Sequence, residues 1–140
     1  MSPPHFGAMS ERAFKLADLF RRIENIVRRG TVAEIDLSAA RLRVEINGVE
    51  TDWVPWLTFC AGLERTWGPP NIGEQVLLLS ESGDHRNGVA LFGLYQDAHP
   101  APEDDGDIHS ILWEDGARAA SDKGAHALDI DLPDAGSFTV

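Results

Sequence analysis

Cysteine occurs once in the 140 residues, at Cys60, which rules out an intrachain disulfide and a cysteine metal cage. No apolar run approaches the roughly 18 residues of a membrane span. Residues 1–8 lack the basic-then-apolar pattern of an export signal. These absences lead us to expect a soluble chain made in a reducing compartment. Basic residues are scarce: 12 Lys and Arg face 23 Asp and Glu, a formal net charge of −11. So acidic a surface repels phosphate backbones and anionic lipid, which argues against nucleic-acid or nonspecific membrane binding. Catalytic signatures are missing as well, with no phosphate loop, GxGxxG, GxSxG or HExxH. His5, His85, His99, His109 and His126 are scattered, without a His-x-His pair. Carboxylate pairs such as Asp104-Asp105 and Glu114-Asp115 fall in turns, and residues 103–107 lack the ligand spacing of a calcium loop. The expectation is no enzyme, no cofactor and no metal site.

What is present is ordinary globular material, 43% hydrophobic and 25% charged, enough for one domain with a small appendage. Its charge is uneven. Arg12, Lys15, Arg21, Arg22, Arg28 and Arg29 supply half of the basic residues, whereas residues 103–140 hold ten acids against Arg118 and Lys123. A basic head and an acidic tail suit different partners.

Residues 2–8, with two prolines and a glycine, read as disordered. Ser10 suits an N-cap. Leu16, Leu19, Phe20, Ile23, Ile26 and Val27 then recur at helical spacing, and Gly30 after Arg28-Arg29 fits a C-cap, so a helix is expected over about 11–29. Its stripe has no later helix to pack on, so it must meet the following domain, another copy or another protein. From residue 32 the period becomes two. Strands are expected at 32–37, 42–46, 49–57, 76–79 and 89–95, with a hairpin turn at Asn47-Gly48. About five strands without a crossover helix suit a small closed barrel, an arrangement that leaves no edge open. Trp53, Trp56 and Trp67 read as core. The alternative of stacking platforms for single-stranded nucleic acid is disfavoured, because Glu50, Asp52 and Glu64 outweigh Arg65. Residues 97–107 read as a linker. Beyond it, strands are expected at 108–113 and 127–132, with Leu128, Ile130 and Leu132 alternating with Asp129 and Asp131. Two such strands are marginal alone, and copies of the same chain are the simplest neighbours.

Several stretches taken in order resemble one family. They are Arg29-Gly30-Thr31-Val32-Ala33-Glu34-Ile35-Asp36, Thr51-Asp52-Trp53-Val54-Pro55-Trp56, Gly62 with Arg65-Thr66-Trp67-Gly68-Pro69-Pro70, Gly73-Glu74-Gln75-Val76 and Gly88-Val89-Ala90-Leu91. Over residues 11–95 the chain is similar to the baseplate assembly protein V family, the central spike of contractile phage tails and tail-like bacteriocins, with the type VI secretion spike more distant. The resemblance implies a mainly β fold: an N-terminal tail and helix (1–29), a five-stranded OB-type barrel serving as collar (30–96), the linker (97–107) and the stem of an intertwined trimeric β-helix (108–140). It implies a homotrimer in a virion or tail-like particle baseplate, assembled in the bacterial cytoplasm. Its partners would be the tail tube, a hub protein and other baseplate proteins, with no nucleic acid. Sheath contraction would drive the point through the target outer membrane. Leu128, Ile130, Leu132, Ile111 and Trp113 are the expected trimer interface. Arg21, Arg22, Arg28, Arg29, Phe20 and Ile23 are the expected hub or collar docking surface, and for the Trp53 to Trp67 region, read as core, a role in the collar interface is the alternative. The family's stem often ends in a His-x-His apex binding iron; no such pair is present, so no metal site is carried over. A non-enzymatic OB-barrel adaptor that binds another baseplate or secretion component is the alternative.

Overall fold

Helix α1 spans Phe6–Asn25 in the computed structural model, which describes residues 6–140, with side chains from Ser10 onward. The helix starts earlier than Ser10, so Ser10 lies inside it and is not its N-cap; Ala8 and Met9 are strong helix formers that extend it backward. The disorder expected at residues 2–8 is therefore corrected for 6–8, and residues 2–5 lie outside the described residues.

The helix also ends earlier than expected. Strand β1, Val27–Asp36, takes over two residues after Asn25. Its first half, Val27 to Thr31, pairs antiparallel with β5, Gln75–Ser80. Its second half pairs with β2, Arg41–Ile46, past a register shift between Val32 and Glu34. Ladder pairing thus satisfies the backbone of Ile26 to Gly30 in extended form and outweighs the continuing helical spacing. Gly30 is not a C-cap. A Cβ there would lie 2.6 Å from both the Glu45 carbonyl oxygen and Val44 Cγ1, so glycine is needed where β1 passes from one partner to the other.

Asn47 and Gly48 both have positive φ and close the hairpin from β2 to β3, Val49–Glu50, as the sequence predicts. The single strand expected over 49–57 is split. Thr51 is buried, its hydroxyl accepts from the Val44 N–H, and the chain resumes as β4, Val54–Pro55, again beside β2. Two 3-10 turns, Glu81–Gly83 and His85–Asn87, link β5 to β6, Gly88–Phe92. The sheet order is β3-β2-β1-β5-β6, with β4 on β2. A parallel bridge from Trp56 to Ala90, and a 2.9 Å bond from the Leu57 N–H to the Ala90 carbonyl, bring the residues after β4 against β6. Val32, Leu42, Val44, Ile46, Val54, Val76, Leu78 and Ala90 form the core inside this sheet, with Ile35, Trp56 and Phe92 packed on it.

The chain divides into two compact units, Met1–Asp97 and Ala98–Val140. The second is an antiparallel meander of β7 (Ile108–Leu112), β8 (Arg118–Asp122) and β9 (Ala127–Asp131). Strand β8 is the central one, and the sequence reading has no strand there. Residues 103–107 are built into this unit: Glu103 accepts hydrogen bonds from Arg118 and Ser110, and the Asp107 carbonyl accepts from the Lys123 N–H. No helix of the described residues is long and apolar enough to cross a membrane.

Candidate functional site

The second unit has one face of uncovered apolar side chains. Registers place Ile111, Ala119 and Ile130 in one row and His109, Ser121 and Leu128 in the next, on the same side of the sheet. Large residues on the outer strands flank small ones on β8, which makes a shallow apolar trough of about 160 Å³ along the central strand. Leu128 is 74% exposed, Ile111 55% and Ile130 47%. Three of the five expected interface residues therefore share one face; Trp113 and Leu132 lie just past the ends of β7 and β9 and are also exposed.

The opposite face is mainly polar and internally paired, with Leu112 beside Arg118 as an exposed apolar residue. Arg118 makes a charge-assisted pair with Glu103, which also accepts from Ser110 Oγ at 3.2 Å. The Arg118 hydrogen bond holds the Glu103 carboxyl below the ordinary carboxylate range, and Glu103, with the neighbouring Asp131 and Asp129, holds the guanidinium charged. Ala120 beneath them is the buried apolar residue of this unit. The meander thus has a mainly polar side, held by its own ion pair, and a side whose large apolar residues stand open. Sequence reading missed Ala119, Ala120 and Ser121 because small residues carry no alternation signal.

Helix α1 is a second uncovered surface. From Ser10 to Glu24 every residue except Asp18 is exposed, including Leu16, Leu19, Phe20 and Ile23. Its C-terminal end is seated on the first 3-10 turn. Gly83 is buried at φ +70°, and a Cβ there would lie 2.1 Å from the Arg22 carbonyl oxygen. Asp18 pairs with Arg21 and Arg22, and the Arg21 hydrogen bond lowers its pKa. The six expected docking residues do not share one helix. Arg21, Arg22, Phe20 and Ile23 are on α1, whereas Arg28 and Arg29 are adjacent on β1 and so project to opposite sides of the sheet. Arg28 is half-buried and donates to Asn25 Oδ1; Arg29 is exposed opposite Leu77.

Where α1 meets the two 3-10 turns lies a polar cleft of about 420 Å³, lined by Arg21, Arg22, Asp52, Asp84, His85 and Arg86 among others. Its charges are spoken for. Arg86 grips both Asp84 oxygens and donates its backbone N–H as well, taking the Asp84 pKa down to about 2. His85 Nδ1 lies 3.0 Å from Ser80 Oγ, and burial together with Arg28 pushes the imidazole pKa down. The one hydroxyl beside a base here, Ser80 Oγ at His85 Nδ1, belongs to a buried residue that does not line the cleft, and among the described residues no three His, Cys, Asp or Glu cluster as metal ligands.

Of the three tryptophans expected in the core, Trp56 packs on it. Trp53 and Trp67 are exposed, Trp53 under the Arg43 guanidinium at 5.9 Å and Trp67 tilted against Trp56 at 5.8 Å.

Residues 28–95, which run from the start of β1 to just past β6, match the family described as the Type VI secretion system/phage-baseplate injector OB domain. The chain is also 41% identical over 102 residues to the spike protein of Escherichia phage P2, a match covering 73% of this chain and 48% of that protein. The chain spans about half the length of this relative.

Proposed function

Because this chain belongs to the baseplate assembly protein V family, through the injector OB domain at residues 28–95, we propose that it is the central spike of a contractile-tail baseplate. In this reading the first unit is a five-stranded OB-type barrel closed through residues 54–57, and three copies form a collar beneath the tail tube and its hub. Strands β7 to β9 of three copies wrap into a stem that sheath contraction drives through the target envelope. The role is mechanical rather than catalytic, and the place of work is the baseplate of a virion or tail-like particle. Arg21 and Arg22 on α1, with Arg29 on β1, are the candidate contacts to the hub.

The observation that carries the reading is the open face of the second unit, on which Ile111, Leu128 and Ile130 stand exposed. Full burial of each such side chain is worth roughly 1.5–3 kcal/mol, so two neighbouring copies offer the cover that one chain lacks. Light scattering after size exclusion tests this. The expected mass is three times the chain mass of 15.3 kDa. A stable monomer would overturn the intertwined stem and turn the reading to an OB-barrel adaptor.

A further inference from the structure

We infer that α1 of one copy packs along α1 of its neighbours, so that the helices form a parallel bundle above the barrels. Ala13, Leu16, Phe20 and Ile23 follow spacings of three, four and three, and the sequence continues the series back through Met9 and Phe6. Large apolar residues at alternating spacings of three and four make a seam of period 3.5, the pattern of helices that wind around like helices. In this register Leu16 and Ile23 hold equivalent positions, as do Ala13 and Phe20. Leu19 borders the seam; Phe14 lies outside it and the bundle does not account for it.

The charges of the helix point the same way. Its three ion pairs, Lys15 with Glu11, Arg21 with Asp18 and Arg22 with Asp18, all lie on the face opposite the seam. That face is satisfied within its own helix, whereas the described residues leave the seam largely open, with Leu16 54%, Phe20 58% and Ile23 54% exposed. Most of the stability of a protein helix comes from the packing of its apolar face. The seating of Arg22 on Gly83 fixes the C-terminal end of α1 to its own barrel. In a ring of copies related by rotation the helices then run parallel. The number three rests on the spike reading; the seam does not.

Disulfide trapping in the full-length chain tests this, with Cys60 replaced by serine and one new cysteine at a time. Leu16→Cys and Ile23→Cys probe the seam, and Lys15→Cys the outer face. A disulfide needs Cα atoms within about 7 Å, which seam positions of neighbouring helices reach and outer positions do not. Under mild oxidation the seam variants are expected to form covalent dimers roughly tenfold faster than Lys15→Cys, because the seam thiols meet at high effective concentration. Light scattering on the same samples reads the assembly. Seam-selective trapping in a three-chain particle supports the inference. Three chains without seam selectivity overturn it and leave the spike reading standing. Seam-selective trapping in a two-chain particle supports the seam and overturns the trimer. A monomer that traps at neither face overturns both.

Discussion

His85 shows how a single side chain reports on its surroundings. It is half-buried, bonded to the buried Ser80 hydroxyl, with Arg28 beside it on β1 and Asp84 preceding it. Burial and Arg28 disfavour the imidazolium more than Asp84 favours it, so the folded pKa lies below the ordinary 6.5. The unfolded chain therefore takes up its proton first as pH falls. The stability tied to neutral His85 is fully present above pH 6.5 and is lost as pH drops through the folded value. The perturbed carboxylates Asp18, Asp36, Asp84 and Glu103 are all lowered from 3.8 or 4.5, so their contributions are lost only in stronger acid. Between about pH 7.5 and about pH 5 the urea midpoint should fall, and His85→Gln should flatten that slope. A variant with the same slope as the parent would remove His85 from the account.

At the scale of elements, the stem face can be tested by charge. Ile130 sits across Ala119 from Ile111 and is 47% exposed in the single chain, where a charged replacement costs little. In an assembled stem, Ile130→Asp would bring three carboxylates together in an apolar interior, at a cost of several kcal/mol. The expected result is a loss of amide protection in β8, with the circular dichroism of the first unit kept; unchanged protection of β8 would place Ile130 outside the interface. Alternation makes this face partly legible in the sequence, since Leu128 and Ile130 skip Asp129. Their convergence on Ala119 and Ser121 is not legible. Strand β8 reads Arg-Ala-Ala-Ser-Asp, poor in strand formers, and exists because it pairs on both sides. The end of α1 misleads for the opposite reason. Ile26 and Val27 prolong the helical spacing and Gly30 imitates a cap, but the ladder to β5 claims that backbone. Where the signal is local, as in the Asn47-Gly48 turn or the inward Leu42, Val44 and Ile46 of β2, sequence and structure agree.

For the whole molecule, the two units differ in how much of their own cover they supply. The first buries eight apolar residues in a continuous core, whereas the second buries Ala120 and leaves Ile111, Leu112, Leu128 and Ile130 exposed. Amide protection follows local stability, which for the first unit is a property of one chain. If the second unit draws its cover from other copies, its stability depends on protein concentration by mass action. Hydrogen exchange followed over a dilution series separates the two cases. Amides of β1, β2 and β5 should keep their protection as the assembly dissociates. Those of β8, which are bonded on both sides within one chain and shielded on the open face only by neighbours, should lose roughly tenfold or more in protection for each 1.4 kcal/mol of association energy withdrawn. Equal, concentration-independent protection of β8 and β5 would mean that the meander is stable by itself, and that its apolar face waits for a partner other than this chain.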